Sequence, residues 1–275
     1  MRRPRLNLGW LRPPRPTPGG VMSLADHLRE LRYRLIVSLA AVVVAAGLAA
    51  VWYDQLYQLL MHPYLLARDL LSQNNPEVTT TTVISGVTAP FTLALAVCMI
   101  AGLVASSPVW LYQLWAFIVP ALLSKEKKWA LIFLAAAIPL FLLGVVIGYY
   151  ILPQGISVML AFTPQSIPIT NLLDVRQFLT LTIQLMMIFG LGFLMPVVVV
   201  GLNLTGVVSA RQLAKARPYI IFATFIFGAA ATPSTDPFSM LALALPMAVL
   251  YLAAELIARL HDRRAVAAAP DPATV

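Results

Sequence analysis

KEKKWALIFLAAAIPLFLLGVVIGYYI, residues 125–151, decides how this chain is read. A charged run, Lys125 to Lys128, gives way at Trp129 to a stretch with no charged residue before Ile151, and Tyr149 and Tyr150 close it. At about 1.5 Å per residue a helix of this length spans a hydrocarbon core of roughly 30 Å. Aromatic residues at both ends suit the two water–lipid interfaces. The stretch therefore reads as a transmembrane helix with a basic flank.

Further apolar blocks lie on either side of it: Leu35 to Val51, Pro90 to Pro120, Gln177 to Leu202, and a last block that a polar turn divides into Pro218–Ala231 and Phe238–Glu255. Threading these through a bilayer puts all 19 Lys and Arg residues except Arg68 and Arg176 on one side. Lys/Arg bias in short loops sets orientation, so the basic side reads as cytoplasmic, with both termini there. The fold class expected is all-α, a polytopic membrane protein with six transmembrane helices, the last two short.

Composition points the same way. The chain has 275 residues, 60% of them hydrophobic and 11% charged. A soluble domain carries about twice that charge. The net charge of +8 could suit nucleic acid, but it sits beside the spans, where it complements an anionic leaflet, so no nucleic-acid partner is expected. Cys98 is the only cysteine and the three His residues are scattered, so neither a disulfide framework nor a metal site is expected. Residues 1–22 are rich in Arg, Pro and Gly and read as a disordered cytoplasmic tail rather than a cleaved signal peptide. Residues 23–258 form the membrane domain and residues 259–275 a second cytoplasmic tail.

Local signals refine the spans. Ser23, with Asp26 three residues on, resembles a capping box, so Leu24 to Leu35 is expected to be an amphipathic helix leading into the first span. Asp54 to Ala89 is too polar to span and reads as an external cap or loop, as does Leu152 to Arg176 with its prolines. Ser106-Ser107-Pro108 interrupts the second span, which is expected to bend there, and Pro196 lies within the fourth. Pro218–Ala231 amounts to about 21 Å of helix, short of a full crossing. Either it forms half of a buried hairpin, or two short spans thin the bilayer around them; the basic flanks favour the second.

Polar residues in this frame each have an ordinary reading and a sharper one. His27, Glu30, Arg32 and Arg34 cluster just before the first span. Glu30 and Arg34, four apart, either pair on the helix surface or leave Glu30 available to a ligand. Glu126, the lone acid among Lys125, Lys127 and Lys128, is either solvated or the second half of an acidic site for a cationic peptide. Gln184, Asn203 and Thr224 read as contacts between helices, Asp236 as a turn or cap residue in the Pro-rich loop, and Glu255 as a partner of Arg259. No charge sits at a clear mid-bilayer depth, and there is no Walker loop, HExxH or GxSxG, so neither an ion-coupled carrier nor an enzyme is expected.

Several strings resemble those of one family. His27-Leu28-Arg29-Glu30-Leu31-Arg32-Tyr33-Arg34-Leu35 is similar to the amino-terminal signature of TatC, the multispanning subunit of the twin-arginine protein translocase. Pro108-Val109-Trp110-Leu111-Tyr112-Gln113-Leu114-Trp115-Ala116-Phe117-Ile118-Val119-Pro120-Ala121-Leu122, followed by Glu126, resembles its most distinctive block. Phe189-Gly190, Pro196, Arg217-Pro218-Tyr219, and Thr232-Pro233 with Asp236 and Ser239 extend the likeness over Ser23 to Glu255.

The resemblance implies a concave, glove-like bundle in a bacterial or archaeal cytoplasmic membrane, without cofactor or catalytic chemistry. It implies binding of paired-arginine signal peptides on folded precursors, with Glu30 and Glu126 receiving the arginines and Phe117, Arg32 and His27 close by. Carboxylates suit this task because a guanidinium offers a fixed fork of donors. It further implies an oligomeric complex with TatA-type and TatB-type single-span subunits, export driven by the proton-motive force, and structural or partner roles for Pro108, Pro196, Pro233 and Asp236; Gln184, read from its place near the fourth span, is added to them as a contact residue. The chain departs from the family pattern at Leu194 and Met240, where many members carry glutamate and glutamine.

Overall fold

The computed structural model describes residues 24–74, 79–118, 127–161, 170–204, 206–231 and 237–267. The expected tail 1–22 lies outside them. Among the described residues, five helices are long and apolar enough to cross a membrane, or six when one bent pair counts as a single span. Many large apolar side chains stay exposed, among them Leu39, Val43, Leu48, Phe222, Ile226, Leu245 and Val249. Faces this apolar suit lipid rather than water.

The first helix, α1, runs Leu24–Ala49, so the amphipathic entry segment and the first span are one element. A 3-10 turn at Ala50–Trp52 leads into α2, Tyr53–Asn74. The segment expected as an external cap or loop from Asp54 onward therefore begins as a helix and not as a loop. Polarity lowers the hydropathy of the segment, but its helical period is intact: Leu60, Met61, Tyr64 and Ala67 are buried, while Asp54, Gln55, Gln58 and His62 face out. Strand β1, Thr79–Val83, follows.

Helix α3, Ala89–Ala105, and helix α4, Ser107–Ile118, meet at a 60° bend at Ser106, as the Ser-Ser-Pro interruption predicts. Pro108 occupies the first turn of α4, where a missing N–H costs nothing. The indole Nε1 of Trp110 donates to the Leu103 carbonyl at 2.9 Å, satisfying a group near the end of α3.

Helix α5, Lys127–Ala161, continues through Pro139 and Pro153 and so consumes the first part of the second expected loop. A proline removes one backbone donor, and packing of Leu152 and Ile156 keeps the helix going. The rest of that loop includes β2, Thr170–Asp174, which pairs in parallel with β1 in the register Thr79↔Thr170 to Val83↔Asp174. The protein is thus an all-α membrane protein apart from this two-stranded ladder.

Helices α6, Val175–Gly192, and α7, Met195–Leu204, form one span, Val175–Leu204, interrupted by a turn at Phe193–Leu194 just before Pro196. Helix α8, Ala210–Ala231, and helix α9, Pro237–Ala267, end the described chain. Both helices outrun their apolar cores. The first turns of α8 carry Arg211, Lys215 and Arg217, and α9 passes through the expected tail boundary at residue 259.

By contacts the chain forms two units. One comprises Met1–Trp52 and Cys98–Ile138, the other Tyr53–Val97 and Pro139–Val275. In the first, α1 packs on α4, and Trp115 stacks on Phe133 of α5. In the second, α9 packs on α7 and α8. Also in the second, Tyr64 meets Phe178 edge-on, and the Tyr149 hydroxyl donates to the Leu59 carbonyl at 2.8 Å. Helices α5 and α6 also approach closely there: a Cβ built on Gly144 would lie 2.5 Å from the Phe189 carbonyl oxygen. Small residues permit such crossings in membrane helices.

Candidate functional site

Within the first unit, α1 and α4 bring together most of the polar residues singled out from sequence. His27, Glu30 and Arg34 recur at helical spacing and share one face of α1. Gln113 and Phe117, one turn apart, share a face of α4. His27 stacks on Phe117, ring centroids 4.5 Å apart and planes inclined by 21°. Arg34 Nη1 donates to Gln113 Oε1 at 3.2 Å. The pairings run in reverse order along the two helices, so α1 and α4 are antiparallel here. Glu30 lies between the two contacts on the α1 face.

Glu30 is buried, at 7% exposure. Its Oε1 accepts from Arg34 Nε at 2.9 Å and from Nη2 at 2.5 Å. A carboxylate at this depth requires such a partner, because an isolated charge pays a large desolvation cost. The local pair weighed from the four-residue spacing therefore forms, and it is a largely buried pair rather than a surface one. Arg32, by contrast, is exposed on another side of α1 and is not brought to Glu30. Glu126 lies outside the described residues.

The second unit holds two further polar clusters. Glu255 on α9 is buried and receives Arg217 of α8 through Nε at 2.9 Å and Nη2 at 2.6 Å. Arg259 joins it at 2.5 Å, as its spacing predicts. Asp262 accepts from Asn203 Nδ2 at 3.0 Å and from the backbone N–H of Ala210 at 2.7 Å, tying α7, α8 and α9 together. Asn203 is thus a contact between helices, while Thr224 bonds within its own helix to the Ile221 carbonyl. Gln184 is exposed on α6, and its side chain bonds to no described residue. Pro196 is buried and Pro108 exposed; Pro233 and Asp236 lie outside the described residues.

Gln113 and Arg217 stand in the sequence within family-like strings with no partner assigned, and Asp262 carries no local signal. Gln113 was findable, since it lies four residues before Phe117 and so on its face. Arg217 and Asp262 find their partners only through tertiary packing.

Among the described residues no group of His, Cys, Asp and Glu could hold a metal ion. What the α1–α4 face offers is a buried carboxylate with an aromatic pair on one side and an amide on the other. That arrangement suits a cationic ligand.

Comparison with known proteins points to one family. Residues 26–246 match the family model described as Sec-independent protein translocase protein (TatC). A relative of the same description from Frankia casuarinae is 39% identical, the match covering 88% of this chain and 67% of the relative. One from Corynebacterium kroppenstedtii is 38% identical over 90% of this chain and 64% of its own length, so the chain spans about two thirds of these curated relatives. A crystal structure of the twin-arginine translocase receptor TatC in DDM is similar with a TM-score of 0.70 and 32% identity, covering 84% of this chain and 99% of that one.

Proposed function

The chain belongs to the TatC family of Sec-independent protein translocase proteins, and on that premise we propose that it is the subunit that receives paired-arginine signal peptides of folded precursors. Membership makes it a component of protein transport and not an enzyme. The observation that carries the proposal is the buried Glu30 carboxylate on the α1–α4 face, beside the stacked His27 and Phe117. The name of the similar crystal structure, a twin-arginine translocase receptor, supports the same reading.

In this reading Glu30 takes one guanidinium of the pair and Glu126 the other. Phe117 and His27 form an apolar wall beside the first, and Arg32 acts from the neighbouring face of α1. Both termini lie on the cytoplasmic side of the membrane, a placement supported by the Lys and Arg distribution. The subunit works in an oligomeric complex with TatA-type and TatB-type single-span proteins, and the proton-motive force drives export. Gln184 is the side chain we assign to a partner helix. It is an exposed amide within a span, and such a group finds a hydrogen-bond partner most readily in another helix.

The test is photo-crosslinking from a probe beside the paired arginines of a precursor to this protein in native membranes. It is repeated with Glu30→Ala, with Glu126→Ala and with twin lysines in the signal. Crosslinks that fall with all three changes at constant protein abundance support the receptor. Crosslinks indifferent to all three place recognition elsewhere. No crosslink at all, with competent precursor and partners, favours a module that only gathers other membrane subunits.

A further inference from the structure

We propose that Arg34 is a resident competitor at Glu30, tethered by Gln113, and that it sets how strongly the site prefers arginine over lysine; this rests on Glu30 being the receiver of a signal-peptide arginine. The geometry is specific. Arg34 places Nε and Nη2 on the same oxygen, Oε1 of Glu30, at 2.9 and 2.5 Å. Its remaining arm, through Nη1, is held by Gln113 Oε1 at 3.2 Å. Among the described residues, Glu30 Oε2 accepts no hydrogen bond. The resident guanidinium thus satisfies one carboxylate oxygen and is braced from the facing helix.

An incoming cation meets a carboxylate that already has a partner. An arginine can engage Oε2 or exchange for Arg34 with the same planar fork, so little is lost in the exchange. A lysine brings one compact, strongly hydrated ammonium whose donors all sit on a single nitrogen, so it cannot reproduce the planar contact made from two nitrogens. Arg34 penalises lysine more than arginine, because a planar, weakly hydrated guanidinium can share the carboxylate with it at Oε2, whereas a strongly hydrated ammonium must shed water beside a like charge. Specificity of this kind comes from disfavouring the wrong ligand rather than from improving contacts with the right one. Gln113 contributes by holding Arg34 in place: without it the competitor leaves more easily. A pair that merely anchored α1 would change the binding of both ligands in parallel.

The experiment compares crosslinking of twin-arginine and twin-lysine precursors, titrated against the full chain with its partners in native membranes, for the parent, Arg34→Gln, Arg34→Lys, Gln113→Leu and Glu30→Gln. Arg34→Gln is expected to reduce the arginine-to-lysine preference about tenfold, chiefly by raising twin-lysine binding. Arg34→Lys keeps a cation beside the buried Glu30 and is expected to give an intermediate preference, as is Gln113→Leu. An unchanged preference in Arg34→Gln and Arg34→Lys, with Glu30→Gln still lowering twin-arginine binding, overturns the competitor and leaves the receptor reading standing. Twin-arginine binding that is indifferent to Glu30→Gln overturns both. Equal loss of both precursors in Arg34→Lys at normal abundance makes Arg34 an anchor and also overturns the proposal.

Discussion

His27 lies nearly flat against Phe117, with ring centroids 4.5 Å apart. The contact joins α1 to α4 beside Glu30, and an aromatic pair of this kind contributes about 0.5–1.5 kcal/mol beyond the area it buries. Phe117→Ala is therefore expected to weaken peptide capture and to lower the thermal midpoint of the purified protein. His27→Phe, which keeps a stacking ring, should retain both. Crosslinking yield and a melting curve check the pair. Equal losses in the two variants would show that the imidazole matters for something other than stacking.

Glu255 serves two arginines at once, so its removal should cost more than the removal of either. Arg217→Ala leaves Arg259 beside the carboxylate, and Arg259→Ala leaves the two bonds from Arg217. Glu255→Ala leaves both cations without a counter-charge between α8 and α9. The expected order of destabilisation is Glu255→Ala, then Arg217→Ala, then Arg259→Ala, measured as melting temperature in one detergent. An Arg259→Ala variant less stable than Arg217→Ala would reverse the roles.

The spans were readable in the sequence because lipid imposes long apolar runs, and the bend at Ser106 was readable because Ser-Ser-Pro interrupts one of them. Helix α2 was not, since a hydropathy average hides a period that Leu60, Tyr64 and Ala67 preserve. The β1–β2 ladder was not either: the partners in Thr79↔Thr170 are far apart in the chain, and a parallel pair leaves no hairpin signal. At the site, Glu30 and Arg34 announced their pairing through spacing. The contact between Arg34 and Gln113 requires knowing that α1 packs on α4 and in which register, which local pattern does not encode.

Gly144 and Gly47 provide a matched pair of tests for helix packing. A Cβ at Gly144 would sit 2.5 Å from the Phe189 carbonyl oxygen, whereas one at Gly47 meets nothing within 4 Å. Gly144→Ala is expected to cost about 1–3 kcal/mol, because α5 and α6 must separate. Gly47→Ala should be neutral or slightly stabilising, because alanine favours helix. Chemical or thermal unfolding in detergent distinguishes them, and a neutral Gly144→Ala would mean that α5 and α6 lie farther apart than described.

Asp174 ends β2 and caps α6, and it predicts a pH dependence. A hydrogen bond from the Ser85 side chain, followed by the backbone N–H groups of Gln177 and Arg176, holds its carboxyl below the usual aspartate value. With a folded value lower than the unfolded one, near 3.9, the ionised cap contributes stability above that pH. The contribution disappears as pH falls through the folded value, when the carboxylate is protonated. Asp174→Ala should therefore melt below the parent at neutral pH, and the gap should narrow as the pH falls from the unfolded value through the lower folded one. Asp174→Asn keeps an oxygen that can cap α6 but has no proton to gain. Its melting temperature should lie between those of the other two proteins at neutral pH, and it should lack this acid-dependent loss. A gap between the parent and Asp174→Ala that stays constant across the acid range would mean that the charge on Asp174 contributes nothing to the cap.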